Sequence, residues 1–143
     1  MTIALGVLGP DGVVIAADTQ ESFGYAGGAK VSGYKVWSRV LDRQGRAISI
    51  TGAGSAGHLD ALSQQLIDGF VRERSWSKLP TRLQRIVRRF HEDHLKPLHT
   101  LPKDLIPDVE VIIGATWKRE RPILLASQNL TLRRCKGACP IRC

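Results

Sequence analysis

Thr2-Ile3-Ala4-Leu5-Gly6-Val7-Leu8-Gly9-Pro10-Asp11-Gly12-Val13-Val14-Ile15-Ala16-Ala17-Asp18 opens the chain. Two apolar runs, Ile3 to Leu8 and Val13 to Ala17, flank Gly9-Pro10-Asp11-Gly12. Glycine, proline and aspartate supply turn dihedrals, and β-branched flanks suit paired strands, so the stretch predicts a β-hairpin. A hairpin brings the start of its first strand next to the end of its second, so Thr2 and Asp18 are expected to be neighbours. Once Met1 is removed, Thr2 carries a hydroxyl and a free α-amine on one residue. The amine titrates at about 7.7–8.0, which suits a base working beside a hydroxyl nucleophile.

Three stretches are read beside this hairpin. Gln20 and Gly24 follow Asp18, then come Lys35-Val36-Trp37 and Thr51-Gly52-Ala53-Gly54-Ser55-Ala56-Gly57. With Thr2, Gly6 and residues 11–18, in this order and spacing, they resemble the proteasome β-subunit and HslV peptidase family of N-terminal-nucleophile hydrolases. The resemblance covers roughly the first two thirds of the chain. It implies an α+β fold, a four-layer αββα sandwich of two mainly antiparallel sheets, incomplete in this chain. It also implies a threonine-type endopeptidase with Thr2 as nucleophile and base, Asp18 as the acid, Lys35 beside the hydroxyl and the Gly52 amide as oxyanion donor. Ser22, through its backbone, and Ile50 are the implied substrate contacts. A lysine at that place favours an alkoxide and is itself held by the acid. Lys35 stands one residue later than in archaeal subunits, and Lys30 is its competitor. No metal or organic cofactor is needed. The implied partners are an unfolded polypeptide substrate, further copies in a homo-oligomeric ring, and an ATPase unfoldase.

The remaining sequence is compatible with this expectation. A chain of 143 residues with 43% apolar content fits one domain with a real core. The longest apolar run, near Val109 to Ala115, is too short to span a membrane, and the N-terminus lacks a signal peptide's basic region, so a cytoplasmic protein is expected. The formal charge of +8 raises a nucleic-acid-binding module as a third function. Its arginines, however, fall in a segment of helical period, Arg72 to Arg89, which reads as a solvated helix face.

Residues 19–33 read as a Gly-rich loop or a weak strand pair, either a place for substrate or a plain connection. Residues 35–40 and 47–51 read as two strands around a turn at 41–46. Gly52 to Gly57 then reads as a strand-to-helix joint whose free helix N–H donors could hold an oxyanion, with Ser55 as N-cap. It lacks the Gly-Lys-Ser/Thr ending of a phosphate loop. Leu59, Leu62, Leu66 and Phe70 predict one amphipathic helix, and Leu83, Ile86, Val87 and Phe90 a second, joined by a polar link near Ser75 to Pro80. His91, His94 and His99 with Glu92 and Asp93 are read as surface groups at a helix end, because His-Glu-x-x-His is absent. After a loop at 101–107, residues 108–115 and 122–126 predict a strand hairpin.

Residues 1–132 are therefore read as the domain, and 133–143 as a divergent tail holding all three cysteines, Cys135, Cys139 and Cys143. Gly137 and Pro140 argue against a helix there, and the spacing fits no zinc motif. The sequence beyond about Leu132 is expected to be a truncated or frameshifted ending, because the family continues into more strands and helices. The alternative function that follows is a catalytically incompetent remnant or scaffold subunit.

Overall fold

The computed structural model describes residues 3–22, 30–41, 45–102, 106–128 and 131–142. The opening hairpin forms as expected. Strand β1 (Ile3–Leu8) pairs antiparallel with β2 (Val13–Ala17) in the register Leu8↔Val13 to Ala4↔Ala17. The Gly9 amide closes the turn by donating to the Gly12 carbonyl at 2.9 Å. Beyond it, β3 (Gln20–Ser22) and β4 (Lys30–Ser32) make the weak strand pair.

The larger sheet has five antiparallel strands, ordered β5 (Val36–Val40), β6 (Ala47–Gly54), β7 (Val109–Thr116), β8 (Ile123–Gln128) and β9 (Thr131–Arg134). Its two faces bury different things, as strand alternation requires. Ile48, Ile50, Val111, Ile113, Ala115, Ile123 and Leu125 face helices α1 (Ala56–Arg72) and α2 (Leu79–Phe90). The alternate residues Ala53, Ile112, Leu124 and Ala126 face the smaller sheet instead, through Ala4 of the hairpin and Ile141. The helices dock by the stripes read from the sequence. Leu59, Leu62, Leu66 and Phe70 of α1 are at most 4% exposed, and Leu83, Val87 and Phe90 of α2 are likewise buried. A 3₁₀ turn at Trp76–Lys78 leads into α2, and π and 3₁₀ turns over 91–100 lead out of it.

The segment read as a separate tail departs from expectation. The proposed boundary at 132/133 falls inside β9, and Ala138–Arg142 forms β10, which pairs with β1 from Ile3↔Arg142 to Val7↔Ala138. Gly137 and Pro140 exclude a helix but not an edge strand, which tolerates proline. The smaller sheet is therefore β10-β1-β2. The result is an α+β sandwich of two antiparallel sheets, with helices on the outer face of the larger. On the outer face of the smaller sheet Ile3, Leu5, Val7 and Val14 are 37–67% exposed, and among the described residues no helix covers them.

Candidate active site

The open end of the hairpin is clasped from both sides. The Asp18 amide donates to the Ile3 carbonyl at 3.0 Å, and the Ile3 amide donates to Asp18 Oδ1 at 3.2 Å. Strand pairing dictates the first contact, whereas the second depends on a short side chain that can turn back onto the backbone, which aspartate provides. The same Oδ1 receives Lys35 Nζ at 3.2 Å. The lysine side chain is only 6% exposed and the aspartate 31%. One carboxylate oxygen thus joins the start of β1 to a buried ammonium, a charge-assisted arrangement stronger than a neutral one.

Register brings the third component in. Strands β5 and β6 pair as Val36↔Thr51, so Lys35 stands opposite Gly52 just beyond the last pair. The fully buried Thr51 hydroxyl donates to the Lys35 carbonyl at 2.8 Å and fixes the lysine's backbone. Gly52 leaves no room for a side chain. A Cβ there would strike the Glu110 carbonyl oxygen and lie 2.6 Å from Leu59 Cδ2. Gly54 has φ +116°, which favours glycine, and the next amide, of Ser55, donates to the Asp108 carbonyl at 3.0 Å. Asp18, Lys35, Gly52 and the Ile3 amide therefore belong to one end of the sandwich.

Some sequence expectations change here. Gly52 is a strand residue, four positions before the first residue of α1, so its amide is a strand amide and not a helix N-terminal donor. Strand β6 runs on through Ala53 and Gly54 because β7 continues beside it to Val109. Ser55 makes no side-chain cap, and its hydroxyl pairs with His58 Nδ1 at 2.9 Å. Ile50 has no exposed surface at all and packs into the core beneath the helices, so it does not face the site. Its parity on β6 differs from that of Thr51, which turns to Lys35. Ser22 pairs through its backbone with Lys30 in the β3–β4 ladder. Thr2 and Gly24 lie outside the described residues, and the described geometry stops one peptide bond short of Thr2, at the Ile3 amide.

The sequence reading missed the Thr51 hydroxyl and the Asp108–Glu110 backbone behind Gly52. Neither was legible, because residue types alone leave open the register of β5 against β6 that sets Lys35 across from Gly52. At the same strand end, Asp108, Glu110, His91 and His99 line a cavity of about 290 Å³. Burial, helped by Asp108, pushes the Glu110 carboxyl above its ordinary value, and burial and His99 push the His91 imidazole below its own.

The fold and this strand end define an α+β sandwich in which a lysine–aspartate pair lies against the start of β1. No protein-family model matches the sequence, and no curated protein matches it. Solved structures share the fold. A Gly-1 mutant of Anbu from Hyphomicrobium sp. strain MC1 superposes with a TM-score of 0.73 at 16% identity, over 99% of this chain and 60% of that one. Anbu from Yersinia bercovieri, described as an ancestral beta-subunit, gives 0.73 at 13% identity, over 98% of this chain and 60% of that one. HslV from Trypanosoma brucei gives 0.59 at 20% identity, over 98% of this chain and 71% of that one. The chain spans about 60% of the length of the Anbu chains it resembles.

Proposed function

We propose that this chain is a threonine-type peptidase subunit acting on peptide bonds, with Thr2 as its N-terminal nucleophile. The observation that carries the reading is the Asp18 carboxylate, which holds the Ile3 amide and the Lys35 ammonium on a single oxygen. A buried ammonium sharing its carboxylate with the Ile3 amide supports the reading, because the proposed nucleophile precedes Ile3 and needs a positive charge to favour its alkoxide.

In the proposed reaction the Thr2 α-amine takes the hydroxyl proton as Oγ adds to the substrate carbonyl. The Lys35 charge favours the developing alkoxide, and Asp18 keeps the ammonium in place. The Gly52 amide donates to the oxyanion, a contribution of about 2.7–4 kcal/mol for one such donor. The amine then passes its proton to the leaving nitrogen, the C–N bond breaks, and an ester on Thr2 remains for water to hydrolyse. The chemistry requires no cofactor. Assembly with further copies, an ATPase unfoldase partner and a cytoplasmic setting belong to the same proposal. Assembly is supported by the likeness to Anbu, one of whose structures is described as a helical assembly, whereas the ATPase partner and the cytoplasmic setting rest on the sequence reading.

The test is intact and N-terminal peptide mass spectrometry before and after an epoxyketone inhibitor. Loss of Met1 with an adduct on Thr2 is expected, and Thr2→Ala is expected to abolish labelling and cleavage. A free Thr2 that never labels would overturn the assignment. It would favour the second reading, a non-catalytic interaction subunit, to which the exposed apolar face of Ile3, Leu5, Val7 and Val14 already lends weight.

A further inference from the structure

Cys135 and Cys139 flank the turn that carries the chain from the larger sheet to the smaller. Cys135 follows β9, where its amide donates to the Leu124 carbonyl at 2.9 Å. Cys139 lies within β10, directly across from Gly6 of β1. Both side chains are half-buried against the inter-sheet cluster of Ala4, Ala53, Ile112 and Leu124, so they turn to the same side. Cys139 is a close enough neighbour of Cys135 to affect its ionisation. We infer that Cys135 and Cys139 form a reversible dithiol–disulfide pair, whose oxidation by a hydroperoxide fastens β9 of one sheet to β10 of the other.

The reaction balances with hydrogen peroxide as oxidant. One thiol sulfur takes an oxygen as the O–O bond breaks, giving a sulfenic acid and one water. The second sulfur attacks that sulfur, the S–S bond forms, and the oxygen leaves as a second water. Two thiols lose two protons and two electrons, and the peroxide becomes two waters. A dithiol reductant reverses the link by thiol–disulfide exchange. Burial first, then the neighbouring Cys139, push the Cys135 thiol up to about 12, so reaction is expected to quicken as pH rises. The link would brace β10 where it pairs with β1, whose first residue holds Asp18.

The spacing of the cysteines supplies an internal control. Cys135 to Cys139 and Cys139 to Cys143 have the same separation, so an unfolded chain has no reason to prefer either pair. The experiment treats the native protein, and the protein in urea, with hydrogen peroxide. Remaining thiols are then alkylated and the products mapped by peptide mass spectrometry. In the native protein the expected product has lost two hydrogens, carries a Cys135–Cys139 link, leaves Cys143 alkylated and is reversed by dithiothreitol. In urea both pairings are expected in comparable amounts. Hydrogen exchange of the β1 amides is expected to slow in the oxidised native form. Alkylation of both Cys135 and Cys139 after oxidation, a native product dominated by Cys139–Cys143, or the urea mixture appearing in the native protein would each overturn the inference. The readout does not depend on peptidase activity.

Discussion

Lys35 is a charged residue with almost no exposed side chain, and Asp18 is a partner that keeps it so. Asp18→Asn removes the carboxylate from both the ammonium and the Ile3 amide. Its expected cost is about 1–3 kcal/mol of stability, measured by urea unfolding, together with loss of inhibitor labelling at Thr2. Lys35→Met keeps the buried volume and is expected to lose labelling with a smaller change in unfolding midpoint. Ile50→Val is the counterpart. It should cost about 0.5–1.5 kcal/mol and leave labelling intact, because Ile50 belongs to the core. If Ile50→Val changed cleavage preference at unchanged stability, its placement beneath the helices would be wrong. The nearness of Asp18 to the start of β1 was legible because hairpin geometry dictates it, whereas Lys35 was singled out only by the family resemblance, with Lys30 as its competitor. The orientation of Ile50 was not legible. Strand parity separates Ile50 from Thr51, and parity follows from the register of β5 and β6, which residue types alone leave open.

At the scale of elements, the helical stripes were legible because period 3.6 survives in Leu59, Leu62, Leu66 and Phe70. Phe70→Ala is expected to cost about 3–5 kcal/mol by urea unfolding, since the ring is fully buried and contacts the Trp117 ring edge to face. The corner between α1 and α2 was not legible. Its polar sequence conceals Glu73, whose Oε1 accepts the amides of Arg74 and Ser75 at 3.0 and 3.1 Å while Oε2 accepts Arg82 Nη1 at 3.2 Å. Burial pushes the Glu73 carboxyl up, but these donors pull it down, and the pull prevails, so its folded value lies below the ordinary one. A depressed carboxyl contributes stability above its unfolded value and loses it as pH falls through the folded value. Glu73→Gln is therefore expected to lower the urea midpoint at neutral pH. The difference from the parent should shrink as the medium is acidified below the carboxylate range. A difference that stays constant with pH would assign the effect to shape and not to charge.

At the scale of the whole molecule, the two-sheet sandwich was expected from the family resemblance, with which the hairpins agreed, but the role of residues 133–142 was not legible. Their alternation is obscured by Arg133, Arg134, Lys136 and Arg142, and their partner, β1, lies at the other end of the sequence. The outer face of β10-β1-β2 is the surface on which association is expected to depend. Leu5→Lys with Val14→Lys is predicted to reduce binding of a hydrophobic dye and to lower concentration-dependent association in sedimentation. Association unchanged by the pair would move the contact elsewhere. The pairing of β1 with β10 also imposes an order in time. The β1–β2 hairpin can close as soon as its own residues leave the ribosome, but Ile3 meets Arg142 only after the more than one hundred residues between β2 and β10 have been synthesised. Until then the strand that holds Asp18 has an open edge, so a ribosome stalled before Ala138 displays a nascent chain ready to pair with a stranger. Slow decoding anywhere between the second strand and Ala138, the helices included, would lengthen that exposure.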